Sequence, residues 1–471
     1  MFQTLKNAWK TPELKSKILF TMMIIVLYRL GSNIPMPWVS SSALASVFGA
    51  SGSALSWWNT LSGGALSQAT LFALSVSPYI TASIVIQLLT IAIPKLEEWA
   101  KEGEAGKKKL SAITRGLTVL LALITAIGYT MLLVNNKALA TTGFSKGQVW
   151  LVYIVLVLAY CAGASVIMWL AEKINEHGIG NGISIILFAN IISGLPALAN
   201  TVYQLCFNKS YYVGNAKGEY VLRGLCQFFY DDKGVYRENG YVWQIVIGVA
   251  VALLCIAILI AAVALVVWFS NSERRIPVQY AKRVVGRKMY GGQSTTLPIK
   301  LDMAGVMPVI FASSIVSILP TIAGFLPNTG FGKFVNNYLG PTTFPYIAMQ
   351  LILIVAFAYF YISISFNPVE VSNNLRNNGG AIPGIRPGKP TVDYIKKILN
   401  RITLLGAIFL CGLSGIPMIV HAVWFAIDGV GISDLMAFSG TSLLIVVGVA
   451  LETFRELEAQ MTLRNYKGFL D

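Results

Sequence analysis

The chain has 471 residues, 55% of them hydrophobic and 12% charged, with a mean hydropathy of +0.65. Such a composition excludes an ordinary soluble domain and leaves the polytopic membrane proteins. A net charge of +15 raises nucleic-acid binding, but the placement of the basic residues accounts for most of it otherwise.

A helix crosses the bilayer core in about 20 apolar residues. Residues 1–17 hold four lysines, and no small-residue cleavage pattern follows, so the first apolar run, 18–37, is read as a retained helix and not a signal peptide. From Leu30 to Pro94 no residue is charged. Within that stretch lies WWNTLSGGALSQATLFAL, 57–74, nearly half of it Ser, Gly, Thr, Asn and Gln. It is too polar for a lipid-facing helix and too poor in charge for a solvated loop. Further runs follow at 71–92, 113–134, 148–170 and 183–199, and then, beyond a long loop at 200–241, at 242–269, 303–325, 344–366, 398–424 and 434–454. Ten spans make two halves, 1–199 and 242–471, of five helices each. With a cytoplasmic N-terminus, the inner segments carry about three quarters of the 36 Lys and Arg, which is the positive-inside pattern and returns the C-terminus to the cytoplasm.

The second helix of the first half reads VSPYITAS, 76–83, and its counterpart in the second half reads VMPVIFAS, 306–313. The shared V-x-P-x-I-x-A-S predicts an inverted repeat with the functional site where the halves meet. Pro78 and Pro308 are expected to free backbone groups within their helices, and the hydroxyls and amide that follow, Thr81, Ser83 and Gln87 on one and Ser313 on the other, offer partners. The inner loop 270–302 alternates polar and apolar residues as a β-hairpin does, broken at Gly291-Gly292, and carries Arg274, Arg275, Lys282, Arg283, Arg287 and Lys288. In the inner loop 367–397 the string GIRPGK, 384–389, holds Arg386 at a rigid tip. Length and turn chemistry point to a docking surface for a large cytoplasmic partner beyond a purely topological role.

Catalytic chemistry is absent at motif level. His177 and His421 are the only histidines, no metal-ligand cluster or nucleophile–base set can be assembled, and NTGFGKF (328–334) and PGIRPGKPT (383–391) lack the spacing of a phosphate-binding loop. The chain is read as no enzyme, with no cofactor. Intramembrane charge, the usual mark of an ion pathway, is nearly lacking: Arg29 sits near an outer helix end, and Asp302 and Glu452 sit at inner ends. Cys161, Cys255 and Cys411 fall in apolar spans as packing residues, while Cys206 and Cys226 share the outer loop, either as a disulfide or as two thiols.

The strings YRLGSNIPMP (28–37), SGGALSQATLFALSVSPYITASIVIQLLT (62–90), GIGNGISII (178–186), ERRIPVQYAKR (273–283), MAGVMPVIFASSI (303–315), PGIRPG (383–388) and SGTSLLIVV (439–447) together resemble the SecY/Sec61 family of protein-conducting channels along nearly the whole chain. The resemblance implies an all-α polytopic clamshell of ten transmembrane helices, two inverted pseudo-symmetric five-helix halves hinged at 200–241. It implies a pore that passes unfolded preproteins across the bacterial plasma membrane and releases apolar segments sideways into lipid. Matched motif to motif, the pore ring would be Val76, Ile80, Leu187, Ile191, Ile310 and Ile445. A re-entrant plug helix would span about 54–68 with Trp57, Leu61, Gly63, Gly64 and Leu66, and Thr70 would begin the second span. The lateral gate would hold Pro78, Thr81, Ser83, Gln87, Asp302, Pro308 and Ser313. Implied partners are the small subunits SecE and SecG, the motor ATPase SecA and the ribosome at the basic loops, signal-bearing polypeptides and the bilayer. The i,i+4 spacings of Val76/Ile80 and Leu187/Ile191 agree with one helical face each, and aliphatic side chains suit a constriction that must bind no passing residue strongly. Departures from the family pattern are Asp302, where asparagine is usual, Gln68, where arginine is common, and the long outer loop. A secondary transporter with inverted repeats is the alternative reading, and a lipid scramblase a more distant third.

Overall fold

The structure is a computed structural model that describes residues 9–40, 44, 59, 62–140, 144–207, 211–214, 220–223, 240–280, 283–285, 288–290, 294–303, 305–325, 329–340, 343–428 and 440–467. The first half consists of α1 (Pro12–Gly31), α2 (Ser77–Ala92), α3 (Pro94–Lys101), α4 (Glu104–Asn135), α5 (Lys146–His177), α6 (Gly182–Ser193) and α7 (Leu195–Phe207). The outer connection contributes a short antiparallel pair, β1 (Tyr211–Gly214) and β2 (Tyr220–Arg223). In the second half come α8 (Gly240–Asn271), β3 (Glu273–Tyr280), β4 (Arg283–Val285), β5 (Lys288–Tyr290), β6 (Ser294–Lys300), α9 (Met307–Phe325), α10 (Gly330–Tyr338), α11 (Phe344–Ser365), α12 (Pro368–Asn377), β7 (Gly380–Ala381), α13 (Lys389–Asp428) and α14 (Gly440–Lys467).

The ten apolar runs each fall on a helix. Seven helices among the described residues are long and apolar enough to span by themselves, and α2 with α3 makes an eighth bent by 103°. The remaining two, α1 and α14, carry charges at their inner ends, Glu13, Lys15 and Lys17 in one and Glu452, Arg455 and Glu456 in the other, which an inner membrane surface accommodates. The fifth run is longer than its apolar count indicates, because α6 is continued past Gly194 by α7 into the outer loop.

Two expectations are corrected. The second span begins at Ser77 and not at Thr70: residues 62–76 run as successive turns, with Ala69 at φ +48° and Ser75 at φ +52° interrupting any helix. Pro78 and Pro308 do not break their helices. Each stands in the first turn, of α2 and α9, where the missing N–H would have had no intrahelical partner. Pro320 and Pro417, which drew no attention in the sequence, are the prolines inside helices, α9 and α13.

A central buried cluster gathers apolar side chains of α1, α2, α5 and α6 with those of α9, α11, α13 and α14, so the halves share one core. A second cluster, around Tyr129 and Tyr160 in edge-on contact at 5.1 Å, belongs to the first half. The expected inner hairpin forms: β3 pairs antiparallel with β6 from Glu273–Lys300 to Gln279–Ser294, and β7 adds to its other edge. Its alternation puts Ile276, Val278 and Ile299 against Leu375, Ile382, Ile395 and Leu399, so the two inner loops fold as one unit with its own core.

Close backbone approach sets one tolerance limit. A Cβ added at Gly163 on α5 would lie 2.2 Å from the carbonyl oxygen of Leu71. Gly163→Ala should therefore cost about 1–3 kcal/mol through overpacking, read as a lowered thermal midpoint of the purified chain, whereas Gly147→Ala, with open space around its Cβ, should leave the midpoint unchanged.

Candidate functional site at the junction of the two halves

The six ring candidates come from four helices. Val76 caps the N-terminus of α2 and Ile80 follows one turn later; Leu187 and Ile191 share a face of α6; Ile310 lies in the first turn of α9; Ile445 lies in the second turn of α14. Their relative exposures run only from 1% to 5%, and all six belong to the one central cluster. The structure thus brings together residues spread over most of the chain. The six aliphatic side chains present neither donor nor acceptor, so water and ions among them would have no side-chain partners.

Along the contact between α2 and α9, hydroxyls turn back to their own helices. Thr81 donates to the Ser77 carbonyl at 3.1 Å, and Ser313 donates to the Val309 carbonyl at 2.7 Å. Ser83 is half-buried and Gln87 exposed. Among the described residues no side-chain hydrogen bond joins α2 to α9, so apolar packing alone closes that seam. Asp302 takes part elsewhere. Its Oδ2 accepts from Ser270 Oγ at 3.2 Å, and Arg455 donates to the Ser270 carbonyl at 2.6 Å and to Asn271 Oδ1 at 2.8 Å. This polar group lies wholly within the second half, beside a cavity of about 400 Å³ lined by Lys300, Tyr361, Ser365 and Glu452 among others. Burial pushes the Asp302 carboxyl above the ordinary aspartate range, against the downward pull of Ser270, the Gly305 N–H, Arg455 and Lys300. Burial likewise pushes the Lys300 ammonium down.

Of the plug candidates, Trp57 and Leu61 lie outside the described residues. Gly63 and Gly64 adopt φ +65° and +87°, conformations that favour glycine, and Leu66 is buried in the cluster of the first half. The described part of this segment is firmly held. Tyr129 Oη donates to the Leu66 carbonyl at 2.6 Å, Asn59 accepts from Gly64 N, Ser62 Oγ and Ser67 N, and Ala69 and Leu71 bond to the Met36 N–H and the Ile34 carbonyl. The half-polar composition therefore reflects internal hydrogen bonding at the base of the segment. Tyr129, Tyr28 and Asn190 were not singled out in the sequence; Tyr28 and Asn190 meet at Ser75 Oγ, at 3.5 and 3.2 Å. Position within the string YRLGSNIPMP was the available signal for Tyr28.

On the inner unit, Arg274 and Arg386 are exposed and make no ion pair among the described residues, while Arg275 pairs with Glu273 at 2.7 Å. The turn bearing Arg386 is fixed by Thr391 Oγ1, which donates to the Arg386 carbonyl at 2.9 Å, and by Gly384 and Gly388 at φ +80° and +106°. Arg283 and Lys288 stand on the strands of a second hairpin, β4–β5, and Lys282 and Arg287 lie outside the described residues. Cys206 is buried with a free thiol at the end of α7, and Cys226 lies outside the described residues.

The sequence profile of the family described as SecY matches residues 70–454. Proteins named "Protein translocase subunit SecY" from Bacillus subtilis and Mycobacterium tuberculosis are each 39% identical to this chain, and one from Streptomyces coelicolor is 41% identical, every alignment covering 100% of both chains. In fold the chain is similar to a structure described as that of a protein conducting channel, at a TM-score of 0.58 and 16% identity, covering 95% of this chain and 92% of the other. A structure concerned with the plug domain of the SecY protein matches at 0.57 with the same identity and coverage.

A carboxyl raised by burial contributes stability that is present below the ordinary aspartate pKa of about 4 and lost as pH rises through its higher folded value. Ionised Asp302 is thus a cost at neutral pH. Asp302→Asn, which keeps an acceptor for Ser270, should raise the thermal midpoint at pH 7.5, and the gain should shrink to nothing as pH is lowered toward 4. A gain that stays constant with pH would show that ionisation is not its source.

Proposed function

Because the chain belongs to the SecY family, we propose that it is the channel subunit of a protein translocase, passing unfolded polypeptides across the membrane and releasing apolar segments laterally from between α2 and α9. One observation carries this reading: six aliphatic side chains from both halves converge in a single buried cluster where the halves meet. In a pore that must admit every kind of side chain, a deformable apolar ring seals by dewetting and holds no passing residue by hydrogen bonds or charge. We assign the ring to Val76, Ile80, Leu187, Ile191, Ile310 and Ile445. The plug is assigned to about 54–68, and the gate to the α2–α9 seam, including Pro78, Thr81, Ser83, Pro308 and Ser313. Asp302 sits at the inner approach to α9 and bonds within its own half. A solute transporter is disfavoured by the lack of charge among these central residues, which coupled transport relies on.

The supply of energy is then assigned to a partner, since the sequence carries no phosphate-binding motif. The folded inner unit with free Arg274 and Arg386 suits an anionic or mixed-charge cytoplasmic partner, and we assign it to the ribosome and to SecA. Only 6% of the apolar window of α8 is buried, against 33% or more in the other six spans, so this helix has room for further membrane helices. SecE and SecG are the proposed occupants at the edges of the subunit. The positive-inside pattern supports a plasma-membrane location with both termini cytoplasmic, and the halves are taken to hinge at 200–241.

Photo-crosslinkers placed at Ile80 and Ile310 should both trap a stalled translocating chain, with crosslinks at exposed Leu120 of α4 as the negative control; failure at both ring positions would overturn the channel reading. Deleting 57–67 should leave the fold intact and raise resting ion conductance in planar bilayers several-fold, whereas unchanged conductance would remove the plug assignment.

A further inference from the structure

Between Lys17 and Lys95 a single charged residue interrupts the sequence, Arg29 near the outer end of α1. Its guanidinium donates to the carbonyl of Ala189 in the last turns of α6, at 2.5 Å. It also lies against the half-polar segment: a Cβ built on Gly63 would stand 2.9 Å from both of its terminal nitrogens and from Ser193 Oγ. Ser193 Oγ is itself engaged, donating to the Asn190 carbonyl at 2.7 Å. No carboxylate among the described residues pairs with Arg29, so the charge is balanced by backbone dipoles and by the Tyr28 ring, whose centroid is 5.8 Å away. A helix C-terminal turn is a favourable place for such a cation, and a charge-assisted bond to a carbonyl is stronger than a neutral one.

The geometry points to Arg29 as the latch that seats the base of the plug, an inference that rests on the plug assignment above. Three elements meet at this one side chain: α1, which bears it, α6, which accepts its hydrogen bond, and Gly63, the first of two glycines with positive φ. Residues 64–71 are fixed by Tyr129, by Asn59 and by the bridge in which the Met36 N–H donates to the Ala69 carbonyl and the Leu71 N–H to the Ile34 carbonyl. Gly63 therefore lies within the held base at the point nearest the guanidinium, and glycine suits it twice over, for its φ and because a Cβ would crowd the Arg29 nitrogens. Arg29 acts as a positioning residue. Its part is to keep the base of the plug packed against the first half.

Resting ion conductance of the full chain in planar bilayers tests this. Arg29→Gln should raise conductance several-fold, Arg29→Lys should restore part of the seal, and Gly63→Val, which keeps the arginine but displaces its guanidinium from its seat, should reproduce the leak. Combined with deletion of 57–67, Arg29→Gln should add nothing. A conducting deletion beside a silent Arg29→Gln and a silent Gly63→Val would overturn the latch while sparing the plug. Additive leaks would overturn it by placing the effect of Arg29 elsewhere. A silent deletion would overturn the plug assignment and the latch with it. Should Arg29→Gln fail to fold, Gly63→Val and Arg29→Lys decide the outcome.

Discussion

Lipid offers no partner to a peptide group, so non-helical backbone between spans must be satisfied by the protein itself. Residues 62–76 meet that constraint, and much else in the first half follows from it. The Leu66 carbonyl takes the hydroxyl of Tyr129, which in turn needs the packing of Tyr160 beside it. Asn59 serves three donors, and the chain after α1 runs alongside to supply the Ile34 carbonyl and the Met36 N–H. Close approach of Gly163 to the Leu71 carbonyl is part of the same arrangement, since α5 could not reach the segment with a side chain in that place. The polar composition of this stretch is thus the requirement for folding inside an apolar surround.

How far the sequence discloses this depends on the range of the interaction. Spans are set by local apolar length, and all ten coincide with helices. The strands of the inner hairpin are set by alternation: Ile276, Val278 and Ile299 mark the buried face at period two. What escapes is decided between distant segments. The start of α2 is one case, because Leu71 to Leu74 continue the apolar run while Ser75, bonded to Tyr28 and Asn190, stands at φ +52°. A second is the shared core of the inner loops, where Ile395, Leu399 and Ile402 have helical spacing that reads equally as a continuation of the membrane span. The ring is a third, since an aliphatic residue in an apolar helix has no mark of its own; family motifs placed those six, and their convergence is visible only in three dimensions. Asp302 was legible as a departure, but its engagement with Ser270 and not with α2 was not.

The repeated V-x-P-x-I-x-A-S now has a physical meaning different from a kink. A proline in the first turn costs no hydrogen bond and fixes where a helix begins. Pro78 and Pro308 therefore set the starting points of α2 and α9, and with them the depth of Ile80 and Ile310, which occupy the same place in the two copies. Misplacing either start by one residue would rotate its ring side chain by about 100° away from the centre. The repeat thus supplies matched positions from the two halves, as the proposed ring requires.

Two kinds of contact surround that ring, and lipid treats them differently. The α2–α9 seam is held by dispersion and shape alone, and a surface opened there meets hydrocarbon chains about as apolar as the partner it lost. Parting the seam forfeits packing but incurs no transfer from apolar to aqueous surroundings, and an apolar segment lodged between the helices restores contacts of the same kind. The base of the proposed plug is held by hydrogen bonds, from Tyr129 to the Leu66 carbonyl, from Met36 to the Ala69 carbonyl and from Leu71 to the Ile34 carbonyl, and breaking these inside the membrane leaves groups unpaired at about 1–3 kcal/mol each. Movement is therefore easy across the seam and costly at the plug base, so a proposed lateral opening can proceed while residues 64–71 stay in place. The charge that the seam avoids is gathered in good part on the inner unit, where exposed Arg274 and Arg386 offer the proposed cytoplasmic partner a hold on the second half that requires no polar group to enter the bilayer.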